Sequence, residues 1–416
     1  MIILADDLGH GDLGVTGAPD IRTPNIDGLA AEGVRFTHAY ANAPVCSPTR
    51  AALLSWQYQQ RTGVDRVIYA TERDRGMALQ NRLLPSFLKE AGYATGIIGK
   101  WHLGYPREHF PTRFGFDEFV GFVVGNIDYL SHTDRLENHD IWRGEKEFFD
   151  ERYFTGLIAD EAIDFIDRHA EERFFLYLPF NAPHDPFQGP EHRSTAGDQQ
   201  VTRKVNRTRA VFRSMVESMD SNIGRVLEKL DAAGIGNETV VFFMSDNGSL
   251  PVVARNEPFR GHKTTLWEGG IRTPLIARWR DVFPQGGTVD EMAIGMDLFA
   301  TALDLAGVTP AENRPMDGVS LLPVLERTGG IDREALYFRY QRPRGPLQKA
   351  VIHNGWKYLS DNASVEHLFD LAQDPGEQND LAAAEAARFR ELREKWVAWE
   401  EEVLRGAPPL PPYRVE

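Results

Sequence analysis

Thr239-Val240-Val241-Phe242-Phe243-Met244 runs directly into Ser245-Asp246-Asn247-Gly248. An unbroken β-favouring run with no polar alternation describes a strand buried on both faces. Three other stretches repeat the plan. Ile2-Ile3-Leu4-Ala5 stops at Asp6-Asp7, and Thr95-Gly96-Ile97-Ile98 stops at Gly99-Lys100-Trp101-His102. Phe174-Phe175-Leu176-Tyr177-Leu178 leads through Pro179 to Asn181-Ala182-Pro183-His184. Helical patterns over 24–32, 84–91, 155–168 and 211–233 are interspersed among them, and such alternation implies a parallel sheet. The expected fold class is therefore α/β, a large mixed, mostly parallel sheet flanked by helices. Ligands of such sheets bind beyond the carboxyl ends of the strands, where these polar residues stand.

After residue 330 the pattern changes. Short strand-like pieces at 335–340, 349–353 and 356–360, separated by turn residues, predict a smaller antiparallel sheet. One long helix is expected over 381–405, with Phe389, Leu392, Trp396, Trp399 and Val403 at helical spacing as a packing stripe. The expected division is a catalytic α/β part over 1–330 and a C-terminal α+β part over 331–416, ending in a proline-rich tail at 406–416.

Composition bounds the function. With 416 residues and 42% hydrophobic content the chain can bury a large core. Its formal charge of −15 excludes nucleic acid as a partner, because phosphates require a basic surface. No apolar run reaches the roughly 18 residues of a membrane span. Ile2-Ile3-Leu4 is too short for a signal-peptide core, so a periplasmic or secreted location is expected only if a leader has been removed, and a cytoplasmic one otherwise.

The single cysteine sits in Cys46-Ser47-Pro48-Thr49-Arg50. A lone cysteine is most often a small buried hydrophobe. Here Ser47 reads as an N-cap and Pro48 as the first helical position, and a helix start beside Arg50 lowers a thiol's pKa and attracts anions. Asp6, Asp7, Asp246 and Asn247 are hard oxygen donors suited to Ca²⁺ or Mg²⁺ rather than zinc. Asp-Asp and Asp-Asn-Gly are also ordinary turn formers, but two such pairs directly after buried strands favour metal ligation. Lys100 and His102, two apart at a strand's end, are expected to project to one side. With His184, and with Lys263 in the glycine-punctuated loop Arg260-Gly261-His262-Lys263-Thr264-Thr265-Leu266-Trp267-Glu268-Gly269-Gly270, they describe a site for a tetrahedral oxyanion.

These motifs resemble those of the type I sulfatases of the alkaline-phosphatase-like superfamily. Cys46-Ser47-Pro48-Thr49-Arg50 matches the family's Cys-x-Pro-x-Arg signature. Ala5-Asp6-Asp7-Leu8-Gly9, Gly99-Lys100-Trp101-His102-Leu103-Gly104, Asn181-Ala182-Pro183-His184, Ser245-Asp246-Asn247-Gly248 and the 263–270 loop follow in family order, as does Phe369-Asp370-Leu371 with Asp374-Pro375. The resemblance implies that Cys46 is oxidised to formylglycine by a formylglycine-generating or equivalent maturation enzyme, and that its hydrate attacks sulfur and carries the sulfate until it leaves. It implies one divalent cation, usually Ca²⁺ with Mg²⁺ the alternative, on Asp6, Asp7, Asp246, Asn247 and residue 46. Arg50 and Lys100 would stabilise the hydrate, His102 would take a proton during sulfate elimination, and His184 and Lys263 would grip the sulfate. Family members commonly continue Leu-Thr-Gly-Arg after the signature helix, a stretch read by the maturing enzyme, whereas this chain has Leu54-Ser55-Trp56-Gln57.

The implied reaction is hydrolysis of a sulfuric ester, with a sulfated carbohydrate as the preferred substrate class and a small aryl sulfate as the alternative. A phosphate or phosphonate monoester hydrolase is the rival within the superfamily. Donors for a single metal favour sulfate over it, since phosphate monoesters usually engage two ions. A non-catalytic sulfoglycan-binding protein is the rival outside catalysis, and no expected position is missing. Two basic stretches, Arg193, Arg203, Lys204, Arg207, Arg209 and Arg213, and Arg339, Arg342, Arg344 and Lys349, form either a solvated face or a groove for a polyanion.

Overall fold

In the computed structural model, which describes residues 1–192, 207–310, 315–362 and 364–409, the opening stretch becomes the strand Val241–Ser245, buried throughout. It lies in a ten-stranded sheet ordered Gly287–Val289, Val34–Phe36, Leu275–Arg278, Val241–Ser245, Ile2–Ala5, Phe174–Pro179, Ala94–Lys100, Glu118–Phe122, Trp142–Arg143 and Lys146–Glu147. The four strands that end in polar residues are consecutive neighbours in this order and run parallel. Their carboxyl ends therefore share one edge. The register sets Leu4 beside Met244 and Pro179, and Ala5 beside Ser245, so the next residues of each strand emerge together. Leu275–Arg278 runs antiparallel to both its neighbours, which makes the sheet mixed.

The helices Pro24–Ala31, Phe154–His169 and Arg209–Ala232 pack as one group, and Cys46–Ser55, Leu84–Glu90 and Asp297–Ala306 as another. The helix expected from 211 starts earlier, at Arg209, because Thr208 caps it by accepting from the Val211 backbone N–H. The signature helix also differs from expectation. It begins at Cys46 itself, with Val45 as N-cap, so Ser47 and Pro48 lie inside the first turn. The Ser47 hydroxyl is used elsewhere and accepts from the Ile68 N–H at 3.2 Å.

The C-terminal sheet has four antiparallel strands, Leu336–Gln341, Leu347–His353, Trp356–Asn362 and Val365–Asp370. The sequence reading omitted the fourth, whose His367 and Asp370 interrupt an apolar pattern. The long helix spans Ala386–Val403, shorter than 381–405. Its Leu392, Trp396, Trp399 and Val403 are buried, as a packing stripe requires. Strand alternation divides this sheet between two neighbours. Tyr337 stacks on Trp399 and Lys349 lies over Trp396, so one face meets the long helix. Gln348, Lys357 and Phe369 turn the other way, toward Leu266, Glu268 and Trp267. Among the described residues no helix is long and apolar enough to cross a membrane.

Candidate active site

At the shared edge the strand ends bring Asp6, Asp7, Lys100, Asp246 and Asn247 together, and the signature helix adds Cys46 and Arg50. Arg50, fully buried, donates from Nε and Nη2 to Asp246 Oδ2 at 3.1 and 2.8 Å and from Nη1 to the Lys100 carbonyl. Burial would lower the Arg50 pKa, but the acidic groups around it, Asp246 foremost and Asp6 with it, together outweigh burial and the net direction is up. Lys100 Nζ donates to Asp6 Oδ2 at 2.6 Å, with both side chains inaccessible to solvent. The Cys46 thiol donates to Asp6 Oδ1 at 3.5 Å. Burial pushes this thiol up, despite the opposing charges of Lys100 and Lys263. The expectation of a lowered thiol pKa is therefore corrected: desolvation wins over the helix start and the nearby cations.

Lys263 arrives from the 261–270 loop. Its Nζ donates to Asp7 Oδ2 at 2.7 Å and to His184 Nε2 at 3.1 Å. Burial opposes its charge, yet Asp7 holds its pKa well above the usual lysine value. The loop closes against the strand end so tightly that a Cβ on Gly248 would stand 1.9 Å from the Gly269 carbonyl oxygen. His184 donates from Nδ1 to the Asp185 carbonyl at 2.7 Å, which leaves Nε2 as the acceptor facing Lys263 and, at 3.5 Å, Asp7.

His102 stands differently. With φ 59° it has left the strand, so strand alternation does not govern where it points. Its Nε2 donates to the Ile68 carbonyl at 3.0 Å, and its Nδ1 is buried without a partner among the described residues. A carbonyl can only accept, so the proton is on Nε2 and Nδ1 carries a free lone pair. Desolvation, followed by the charge of Lys100, holds this imidazole well below its ordinary pKa.

The residues fit a hard divalent cation. Asp6, Asp7, Cys46 and His184 present ligand atoms all within 4.8 Å of one another. Asn247 donates through Nδ2 to Asp7 Oδ1 at 2.7 Å, while its own Oδ1 is buried with no partner among the described residues. A buried, unsatisfied carbonyl oxygen beside carboxylates is the atom a cation would take. Asp246 is held by Arg50 and accepts from the Asp7 N–H at 3.2 Å. The entry of His184 into the donor cluster was not expected from sequence. Three carboxylates, Asp6, Asp7 and Asp246, face three cations, Arg50, Lys100 and Lys263. A bound divalent ion would leave this centre positive, as an anionic ester requires.

Sequence reasoning missed the supports. Ile68 lies between Ser47 and His102, and its loop is pinned by buried Glu72, which accepts from both terminal nitrogens of Arg66 at 2.8 and 2.7 Å. Gln348, polar and fully buried on the C-terminal sheet, bonds the Lys263 loop. A polar residue on the buried face of a strand was the available signal. Of the basic stretches, Arg193, Arg203 and Lys204 lie outside the described residues. Arg209 is bound to Asp12 and Asp20, and Arg339 to Asp65 and Glu400.

Comparison with known proteins agrees with this geometry. The sulfatase family model matches residues 1–308, and the model for the C-terminal part of N-sulphoglucosamine sulphohydrolase matches 261–399. Human N-acetylgalactosamine-6-sulfatase is 33% identical over 447 residues, covering 93% of this chain and 82% of that protein. Mouse steryl-sulfatase is 30% identical, covering 94% and 80%. Among solved structures, Ps i-CgsB in complex with k-i-k-neocarrahexaose superposes with a TM-score of 0.88 at 30% identity, covering 96% of this chain and 91% of that one.

Proposed function

The chain belongs to the sulfatase family and is a sulfuric ester hydrolase, and from that premise we propose that it removes sulfate from a sulfated carbohydrate, using a formylglycine made from Cys46 and one Ca²⁺ ion. The observation that carries the reading is the convergence of oxygen donors and cations on residue 46, with Asn247 Oδ1 left for a metal. When present, the cation supplies positive charge to the sulfate oxygens and the converted Cys46 supplies the oxygen nucleophile. Asp6, Asp7, Asp246 and Asn247 hold the cation. Arg50 and Lys100, each locked on a carboxylate, fix the charge around residue 46. Lys263 and His184 Nε2 face the same space and orient the sulfate. His102 Nδ1, neutral and with its lone pair free, accepts the proton released as sulfate departs. Conversion of Cys46 calls for a maturation enzyme as partner.

The carbohydrate assignment is supported by two features. Two of the three proteins named above, N-acetylgalactosamine-6-sulfatase and Ps i-CgsB, are named for a sugar or were solved with one. In this chain Arg342 keeps a buried Nε without a partner among the described residues, and its charge, like that of Lys263, reaches Tyr340. Arg342 would hold a second anionic group of the sugar.

Two measurements test the proposal. Mass spectrometry of the Cys46 peptide from protein made in its native host should show the aldehyde, and an unmodified thiol would remove the nucleophile. A panel of defined sulfated saccharides, with matched aryl sulfate and aryl phosphate, should show saccharide turnover well above both. Turnover of aryl sulfate alone would refute the carbohydrate assignment, and a preference for phosphate would refute the reaction.

A further inference from the structure

Lys263 is mounted on a loop rather than on a strand of the main sheet, and the loop is strained where it carries the lysine. Thr264, the next residue, has φ 72°. That is the left-handed region, which a β-branched residue enters only when its surroundings hold it there. Both of its backbone polar groups are held. Its N–H donates to the carbonyl of Pro44, two residues before Cys46, at 2.8 Å. Its carbonyl accepts from Gln348 Nε2 at 2.9 Å, and Gln348 Oε1 accepts from the Leu266 N–H at 3.0 Å. One inaccessible amide thus bridges two backbone groups on either side of Thr265. The amide offers a donor on one atom and an acceptor on the other; an ionised glutamate lacks the donor, and a methionine has no donor and only a weak acceptor sulfur. Gln348 belongs to the strand Leu347–His353, opposite Tyr340 and far from Lys263 in sequence.

We propose that Gln348 is a positioning residue for Lys263: it clamps the left-handed turn at Thr264, and the clamped turn aims the ammonium at Asp7 and at the sulfate. The inference rests on the sulfatase reading for what Lys263 holds. It gives the C-terminal sheet a direct part in the chemistry, exerted through backbone geometry and without contact to the substrate.

The test compares the mature parent with Gln348→Met, alone and combined with Thr264→Gly. Each is assayed with 4-nitrophenyl sulfate at a temperature where melting curves show full folding. Gln348→Met should lose about 10- to 100-fold in kcat/KM, the scale of a misplaced binding group, with weaker inhibition by inorganic sulfate. Thr264→Gly in that background should regain at least about threefold, because glycine occupies the left-handed region without being held. A purely structural role would lower the melting temperature and leave both readouts unchanged. Activity of Gln348→Met within about twofold of the parent, or no regain with Thr264→Gly, overturns the clamp. Should Gln348→Met fail to fold, Gln348→Asn, which keeps the amide one methylene short, carries the same expectation. A mature parent that turns over neither 4-nitrophenyl sulfate nor any saccharide of the sulfated panel refutes the sulfatase reading instead. The clamp is then read from the rise in melting temperature caused by inorganic sulfate, which should be smaller in Gln348→Met; an equal rise overturns it.

Discussion

The ten-stranded sheet delivers its functional groups where its strands stop, whereas the four-stranded sheet delivers its own from the faces of its strands, near where they start. In the first, Ile2–Ala5, Ala94–Lys100, Phe174–Pro179 and Val241–Ser245 are buried on both faces, and only their shared carboxyl edge is available for chemistry. In the second, alternation gives one face to the helix Ala386–Val403 and the other to the Lys263 loop. Gln348 and Lys357 stand on that second face, each the second residue of its strand. A parallel sheet thus concentrates polar groups where its strands stop, and a two-faced antiparallel sheet can place single polar residues between apolar ones. The consequence is a division of labour: the main sheet gathers carboxylates and cations at one edge, and the C-terminal sheet holds a loop in place.

Breaking the main-sheet side should have the largest effect. Cys46→Ala removes the nucleophile and should cut turnover by at least about 10³-fold, with the melting temperature little changed. Equal turnover by this variant would mean that the chemistry does not run through residue 46.

The C-terminal side should fail through stability. Lys357 is fully buried, with Nζ at 2.8 Å from both Glu268 and Glu377, and Glu268 in turn accepts from Tyr40. Lys357→Met leaves two carboxylates without their common partner and should cost about 3–5 kcal/mol, measured by denaturant unfolding. A cost under about 1 kcal/mol would mean that the pairing contributes no more than a surface bridge.

Specificity should show an intermediate effect. Arg342→Ala should raise KM by about tenfold on a saccharide carrying a second sulfate or carboxylate, the scale of a lost charge-assisted bond. It should leave 4-nitrophenyl sulfate nearly unaffected. An equal change on both substrates would separate Arg342 from substrate recognition.

The smallest effect is a pH dependence. Burial raises the Glu377 carboxyl to about 7, against the opposing charge of Lys357. Its folded pKa lies above the unfolded glutamate value of about 4.3. Its protonation therefore contributes stability that is complete below that value and lost as pH rises through about 7. Glu377→Gln should flatten the decline in melting temperature between about pH 5 and pH 8. An unchanged slope would place the titration elsewhere.

Much of this was legible in the chain. Asp6-Asp7 and Asp246-Asn247 are visible because each follows closely on an unbroken apolar run. The fourth C-terminal strand was not legible, since Val365–Asp370 owes its place to pairing with Trp356–Asn362 rather than to its own apolar pattern. The start of the signature helix was misplaced because Ser47 and Pro48 suit a helix N-terminus generally, and only the approach of Ile68 assigns the hydroxyl another partner. Trp56 takes the left-handed turn that ends this helix, φ 54°, where the family commonly has glycine. It is held there by Phe87, Phe299 and the Pro315 carbonyl, none of them near it in sequence.

By itself, then, the sequence determined the kind of fold, the sulfatase family and the donor types at each strand end, because those depend on local runs and on residue chemistry. Tertiary structure alone decided that the four separated strands are consecutive neighbours in the sheet, so that their ends form one site. It also decided that burial outweighs the helix start at the Cys46 thiol, and that His102 keeps its lone pair on Nδ1. The clamp on Lys263 belongs to the same class. Each depends on which distant backbone comes within hydrogen-bonding distance or excludes water, and no local pattern encodes that.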